Sequence, residues 1–152
     1  MRCNTGVNPL YLADQHLIAE QVELLMISGL LTRINNIPKS PIPPKMKLGT
    51  GHMLFWTNKL IYLQRRLDAV KLEVARRGFK VTDRCIELNN HPIAFHNDWA
   101  PDINATNIIR GRITEKMDLK YDGFWRFKSN KILKINYDAF RNDILNSPLY
   151  FV

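Results

Sequence analysis

Apolar positions recur at spacings of three and four residues in three stretches of the chain, a period that predicts α-helices. The first helix is expected from about Tyr11 to Ile34, the second over about residues 51 to 77, and the third over about residues 104 to 119. The second stretch has the clearest pattern, and Gly78 follows it as a stop. Its apolar positions are Met53, Trp56, Leu60, Leu63, Leu67, Val70 and Val74.

The intervening segments complete an all-α prediction: a compact single domain over residues 1–152, with about three main helices and long connecting loops. A chain of 152 residues with 45% hydrophobic content can bury one core. Residues 35–47, "NNIPKSPIPPKMK", contain four prolines, which favour an extended connector over a helix. Residues 133–152 form a C-terminal tail whose apolar content predicts packing or self-association rather than disorder.

The first helix carries a polar stripe that is unusual in an otherwise apolar segment. His16, Glu20 and Glu23 fall on one face at the helical repeat, and Asp14 lies in the opening turn, near the positive end of the helix dipole. Because buried carboxylates need partners, Glu20 is expected to be structural and paired with a core arginine. The stripe therefore requires either a structural or a chemical purpose.

Charge is the strongest bulk signal. The chain has 22 Lys and Arg against 14 Asp and Glu, a net charge of +8, which favours encounter with polyanions and makes nucleic acid the leading partner. The alternative is that the lysines only solubilise the protein. No run of about 20 apolar residues and no signal-peptide pattern is present, so we expect no membrane partner and a cytoplasmic, nucleoid-associated location.

Aromatic and cationic residues alternate in "YDGFWRFKSNKILK", residues 121–134, hereafter the aromatic segment. Such mixing suits a surface that holds phosphates and stacks on bases, although one or two rings could instead close the core. His91 and His96 lie near Asp98, but no second pair of ligands supports a metal site, so neither a metal nor another cofactor is expected.

Three motifs in order, "LADQHLIAE", "LGTGHMLFWTNKLIYLQRR" and "RRGF", resemble the pyrimidine-dimer DNA glycosylase family, the endonuclease V type found in phages. The resemblance covers about residues 1–132. It implies a compact all-α domain that flips a nucleotide and cleaves its N-glycosidic bond with the N-terminal α-amine.

The resemblance also assigns the catalytic groups. The family's glutamate falls on Glu23 and its amine on Met1, since a bulky Arg2 is expected to block removal of the initiator methionine. An α-amine has a pKa of about 8, and Arg2 would lower it further. The amine would attack C1′ and release the base, while Glu23 stabilises the iminium and then removes a C2′ proton for β-elimination.

Substrate contacts are expected from Arg2, Gln15 and His16, although His16 could instead be satisfied by hydrogen bonds at the helix end. The family's phosphate-gripping arginines, immediately before the glutamate and three residues after it, fall here on Val22 and Met26. Further substrate-binding candidates, which would replace the lost cations or stack on bases, are Lys45, Lys47, Trp125, Arg126 and Lys128.

Three functions remain open at this level. The first is a DNA glycosylase and abasic-site lyase acting on double-stranded DNA with a lesion. The second is an N-glycosidase for a small nucleotide such as a cyclic dinucleotide signal, which needs fewer backbone clamps. The third is a non-catalytic nucleic-acid-binding module. A monomer or weak homo-oligomer is expected in each case.

Overall fold

The computed structural model describes residues 3–38, 40–120 and 123–152, and helices dominate these ranges. The all-α prediction is confirmed. Short 3₁₀ turns at Pro9–Tyr11, Leu88–Asn90 and Ile93–Phe95 and a hairpin of two two-residue strands accompany the helices. The helices are α1 (Asp14–Glu23), α2 (Met26–Arg33), α3 (His52–Trp56), α4 (Leu60–Arg76), α5 (Ile103–Asp118) and α6 (Lys134–Asn146); the strands are β1 (Arg126–Phe127) and β2 (Asn130–Lys131).

The first predicted helix is two helices, which corrects the sequence reading. It begins at Asp14 rather than Tyr11, and a turn at Leu24 and Leu25 separates α1 from α2. The backbone of Leu24 keeps right-handed helical angles, so the chain continues in nearly the same sense across the break. The spacing of apolar residues therefore stays helical through the turn, so the break between α1 and α2 cannot be seen in the sequence pattern.

The second predicted helix is also divided, into α3 and α4. Thr57 follows α3, and its hydroxyl donates a hydrogen bond of 2.7 Å to the carbonyl of Leu54. Lys59 then leaves the helical region of backbone space, with φ −130°. Side-chain to backbone bonds of this kind compete with helix continuation. The third prediction is confirmed to within about a residue, because α5 starts after Asp102, whose carboxylate accepts from the N–H of Ala105 at 2.7 Å.

The C-terminal tail packs on the rest of the protein, as its apolar content predicted. The sequence reading did not include its helix, α6, which lies against α5 and buries Tyr137 and Ile144. Beyond α6, the backbone N–H of Tyr150 donates to the carbonyl of Gly6 at 3.0 Å, so the two ends of the described chain meet.

A buried ion pair joins α1 to α4 at the centre of the core. Arg66 donates from Nε and Nη2 to the two oxygens of Glu20, at 2.9 and 3.0 Å, and both side chains are fully buried. The predicted pairing of Glu20 with a core arginine is confirmed. The surrounding apolar side chains come from both helices, including Leu17 and Leu63.

Asp14 attaches the hairpin to the start of α1. Its carboxylate accepts the backbone N–H groups of Lys128 and Ser129, at 3.0 and 2.8 Å, and a hydrogen bond from Arg77 at 2.8 Å. Lys128 and Ser129 both have positive φ, which L-residues adopt only when neighbouring groups stabilise the turn. The Asp14 carboxylate supplies that stabilisation. It also lies at the positive end of the α1 dipole, which favours a negative charge.

Within the described ranges, every helix is too short or too polar to cross a bilayer.

Two adjacent arginines offer a test of the core ion pair. Arg66→Met should lower the free energy of unfolding by about 3–5 kcal/mol, because it leaves the buried carboxylate of Glu20 without its counter-charge. Arg65→Met is the matched control, since Arg65 pairs with Asp98 at the surface, where both side chains are about half exposed. That change should cost no more than about 1 kcal/mol. Urea denaturation measures both variants, and equal losses would contradict the assignment.

Candidate active site

The chain segment nearest the N-terminus is buried against the polar stripe of α1. The backbone N–H of Asn4 donates to one oxygen of Glu20 at 2.7 Å, and the Asn4 side-chain amide donates to the other at 2.8 Å. Arg66 adds a bond of 2.8 Å to the carbonyl of Val7. Glu20 and its partner Arg66 therefore anchor residues 4 to 7 inside the core. This is a structural role for Glu20 in the polar stripe.

Glu23 is the last residue of α1 and is half-buried. It lies three residues after Glu20, so it occupies the same side of the helix about 4.5 Å further along the axis. The predicted nucleophile, Met1, and its neighbour Arg2 lie outside the described residues. Burial raises the pKa of the nearby Cys3 thiol, so that thiol stays protonated and is a poor competing nucleophile.

A cavity of about 410 Å³ opens between α1, the end of α5 and the aromatic segment. Its size lies within the range of about 300–1,000 Å³ that small-molecule sites occupy. Its lining combines rings, cations and one amide: Gln15, His16, Lys116, Leu119, Lys120, Phe124 and Trp125.

The rings of the cavity have different exposures. Trp125 is 5% exposed, donates from Nε1 to the carbonyl of Met117 at 3.1 Å, and packs on His16 with ring centroids 4.4 Å apart. Phe124 is 46% exposed at the rim. One ring thus closes the core, as the alternative reading of the aromatic segment held, and the other remains available to a ligand.

Gln15 holds the aromatic segment in place. Its amide nitrogen donates to the carbonyl of Phe124, and its amide oxygen accepts from the N–H of Arg126 at 3.0 Å. The side chain therefore pairs with the backbone of residues 124–126 much as a neighbouring strand would. Gln15 also lines the cavity, and both ends of its amide are used to hold the cavity wall.

Cations of α5 border the same region, and the sequence analysis did not select them. Arg112 and Lys116 line a small void together with Asn4 and His16, so the N-terminal segment adjoins the cavity. Lys120, just after α5, places Nζ 4.9 Å from the centroid of the Phe124 ring. Arg112, Lys116 and Lys120 recur every four residues next to the aromatic segment, which is the signal that could have identified them.

The remaining predicted binding residues occupy other places. Val22 and Met26 are 54% and 45% exposed and flank Glu23 on the surface of α1 and α2. Lys45 and Lys47 are exposed on the connector and are not among the residues that line the cavity. Of the predicted binding residues, Gln15, His16 and Trp125 line one cavity, whereas these two lysines lie elsewhere.

Arg126 and Lys128 extend from the hairpin beside the cavity. Arg126 is exposed and reaches the carbonyl of Ser129 at 3.4 Å. Lys128 lies along a second opening, which it shares with Arg76 and Arg77. Neither cation is among the residues that line the cavity.

The histidines considered for a metal have hydrogen-bonding roles. The His91 ring contacts the Ser28 hydroxyl at 2.8 Å and the Asn36 amide oxygen at 2.7 Å. His96 Nε2 contacts backbone carbonyls at 2.8 and 2.9 Å. Burial and the neighbouring His96 lower the pKa of His91. Among the described residues, no group of three potential ligands gathers for a metal ion.

Besides the N-terminal amine, the side-chain amine of Lys59 has a lowered pKa. Its Nζ lies 3.9 Å from the centroid of the Phe55 ring and donates to the Phe55 carbonyl at 2.8 Å. Partial burial lowers the pKa of Lys59 to about 8, so part of this amine is neutral near physiological pH. Any assay of amine chemistry must separate Lys59 from the N-terminus.

Residues 3–87 match the family model described as pyrimidine dimer DNA glycosylase. The match covers more than half of the 152 residues and includes α1 to α4, with Glu20, Glu23 and Arg66. It confirms the resemblance that the sequence motifs indicated. The cations of α5, the aromatic segment and the tail lie outside the matched residues.

Proposed function

The chain belongs to the pyrimidine dimer DNA glycosylase family, and from that membership we propose that it excises a base from DNA with its N-terminal α-amine as nucleophile and Glu23 as the partner carboxylate. Family membership supports the coarser part of this statement, a DNA glycosylase that binds DNA. The amine, the lyase step and the residues that hold the substrate are the parts we propose.

The anchoring of Asn4 is the observation that carries the proposal. Its backbone nitrogen lies 2.7 Å from a carboxylate oxygen of Glu20. Three residues precede it, and an extended chain of that length spans at most about 10 Å. Glu23 lies only about 4.5 Å beyond Glu20 along the helix axis. In this proposal, the short chain before Asn4 therefore lets a free amine at Met1 reach the Glu23 carboxylate.

The chemistry follows from that pairing. With a pKa of about 8, roughly a tenth of the amine is neutral at pH 7, and Arg2 beside it increases this fraction. The amine forms a bond to C1′ of the sugar as the glycosidic bond breaks and the base leaves with its electron pair. Loss of the amine proton and ring opening give an iminium, whose positive charge Glu23 stabilises. The same carboxylate then takes the C2′ proton, a C2′=C3′ double bond forms, and the 3′-phosphate leaves with the electron pair of the C3′–O bond.

The cavity beside α1 receives a displaced nucleotide in this proposal. Enzymes that act on a base in duplex DNA must take it out of the stack and hold it in a pocket. The exposed face of Phe124 offers a stacking surface, and Lys116 and Lys120 offer charge to the phosphates. Arg126 and Lys128 extend the positive surface along the hairpin.

Covalent trapping tests the amine directly. Borohydride reduction during turnover of a dimer-bearing duplex should attach the sugar to the N-terminal peptide, because reduction captures the iminium. Peptide mapping by mass spectrometry locates the adduct. Lys59→Arg is the control, since it removes the described lysine whose pKa is lowered to about 8, and trapping should continue unchanged. An adduct that disappears in this variant, or that maps only to lysine, would refute the proposal.

The role of Glu23 predicts a large loss in rate with little loss of binding. Glu23→Gln should lower the single-turnover rate by about 100- to 1000-fold, because the amide cannot balance the positive charge of the iminium. Duplex affinity should stay within a few fold. Glu115→Gln, at an exposed site on α5, is the matched control and should retain full activity. A loss of less than about tenfold for Glu23→Gln would make this carboxylate structural.

Val22 and Met26 test the class of substrate. Their exposed side chains stand where the family's phosphate-gripping arginines are expected, beside Glu23. If a dimer in duplex DNA is the substrate, Val22→Arg with Met26→Arg should strengthen binding and steepen its salt dependence by about one unit for each new phosphate contact. Cleavage of dimer-bearing duplex at low substrate concentration should rise accordingly.

The opposite result would point to another substrate. If the double variant gains nothing on dimers and loses activity on a modified base or a free nucleotide, the two apolar side chains form the wall of a different pocket. Ile18→Arg is a control that adds one positive charge on α1 at a partly exposed position four residues before Val22. An equal gain from Ile18→Arg would show that general charge, rather than a phosphate contact at Val22 and Met26, is responsible.

A further inference from the structure

The C-terminal tail forms a direct backbone contact with the segment that follows the N-terminus. The N–H of Tyr150 donates to the carbonyl of Gly6 at 3.0 Å, in an antiparallel bridge between the two chain ends. The tail lies far outside the matched residues 3–87, so the match provides no role for this contact.

Gly6 is held tightly where the tail meets it. Its φ is +74°, a conformation that residues with a side chain rarely adopt. A Cβ placed on Gly6 would lie 1.9 Å from the hydroxyl oxygen of Thr106 on α5. The backbone of Gly6 is thus confined between α5 and the tail, and only glycine fits this position.

The tail is itself anchored before it reaches Gly6. Arg110 of α5 donates from Nη2 to the carbonyl of Ser147, and the Ser147 hydroxyl donates to the carbonyl of Ile144 at 2.9 Å. Ser147 and Ile144 are both buried. Ser147, which Arg110 attaches to α5, therefore lies three residues before the bridge. This attachment restricts where the backbone of Tyr150 can meet the N-terminal segment.

We propose that residues 147–152 are a positioning element for the nucleophile, an inference that rests on the proposed amine mechanism. Glu20 and Arg66 hold Asn4 and Val7, and the backbone of Tyr150 holds Gly6, which lies between them in the sequence. Because Asn4, Gly6 and Val7 are all held, the few residues before Asn4 start from a fixed point in this proposal. A displacement of about 1 Å at a reacting group can cost about 100-fold in rate, so the bridge acts on the chemical step more than on binding.

A pair of substitutions at one position isolates the bridge. Tyr150→Pro removes the backbone N–H that donates to Gly6, whereas Tyr150→Ala keeps it and removes only the ring. On dimer-bearing duplex, Tyr150→Pro should lower kcat and the rate of N-terminal borohydride trapping by about tenfold or more, with KM within about twofold. Tyr150→Ala should remain within about twofold of the wild-type protein in every measurement.

A truncation after Pro148 provides a second route should Tyr150→Pro fail to fold. It removes the donor entirely, leaves Ser147 and its anchors in place, and should give the same selective loss of kcat. Hydrogen exchange of the peptide that contains Asn4 and Gly6 should accelerate in both variants, while the α4 peptides keep their protection. This pattern separates release of the segment from global unfolding.

Each contrary result has a distinct meaning. Unchanged kcat in the truncation, equal losses for Tyr150→Pro and Tyr150→Ala, or a parallel rise in KM and in exchange throughout the protein would overturn the positioning role. If the wild-type protein itself forms no N-terminal adduct while it cleaves substrate, the amine mechanism fails instead. The two proposals can therefore be rejected separately.

Discussion

A charged pair in the dry interior places the strongest constraint on this protein. Glu20 and Arg66 are both fully buried, and charges removed from water are tolerated only when their hydrogen bonds are completed. Arg66 supplies two of the bonds that Glu20 accepts, and Asn4 supplies two more. The N-terminal segment is therefore part of the solvation of the ion pair, and the core requires this segment to be in place.

This requirement links stability to the proposed chemistry through a single helix. The face of α1 that buries Glu20 also presents Glu23 one turn later and His16 one turn earlier. The helix begins at Asp14, whose carboxylate holds the hairpin, and Gln15 holds residues 124–126, where the hairpin begins. Because these attachments all start from α1, the segment from Asn4 to Val7, the Glu23 carboxylate and the cavity wall are all positioned by the same helix.

The positive charge of the chain is distributed in a way that suits this geometry. Arg112, Lys116 and Lys120 recur along α5 and its end, so they bring charge to the cavity, whereas the surface beside Glu23 presents Val22 and Met26. Val22 and Met26 are not among the residues that line the cavity, so the cations and these apolar side chains belong to separate parts of the surface. In the proposed function, phosphates favour the cations beside the cavity, and the exposed ring of Phe124 offers the stacking surface for a base.

The helical class, the extent of α5, the pairing of Glu20 with an arginine and the family could all be predicted from the amino-acid sequence. These features depend on local periodicity, on the cost of a buried charge and on motifs within α1 to α4. Three features became visible only in the folded chain: the breaks after Glu23 and Trp56, the support of the aromatic segment by Gln15 and the bridge from Tyr150 to Gly6. The breaks hardly change the spacing of apolar residues, so the sequence pattern does not show them. The contacts of Gln15 and Tyr150 join residues more than 100 positions apart, so they form only when the helices pack.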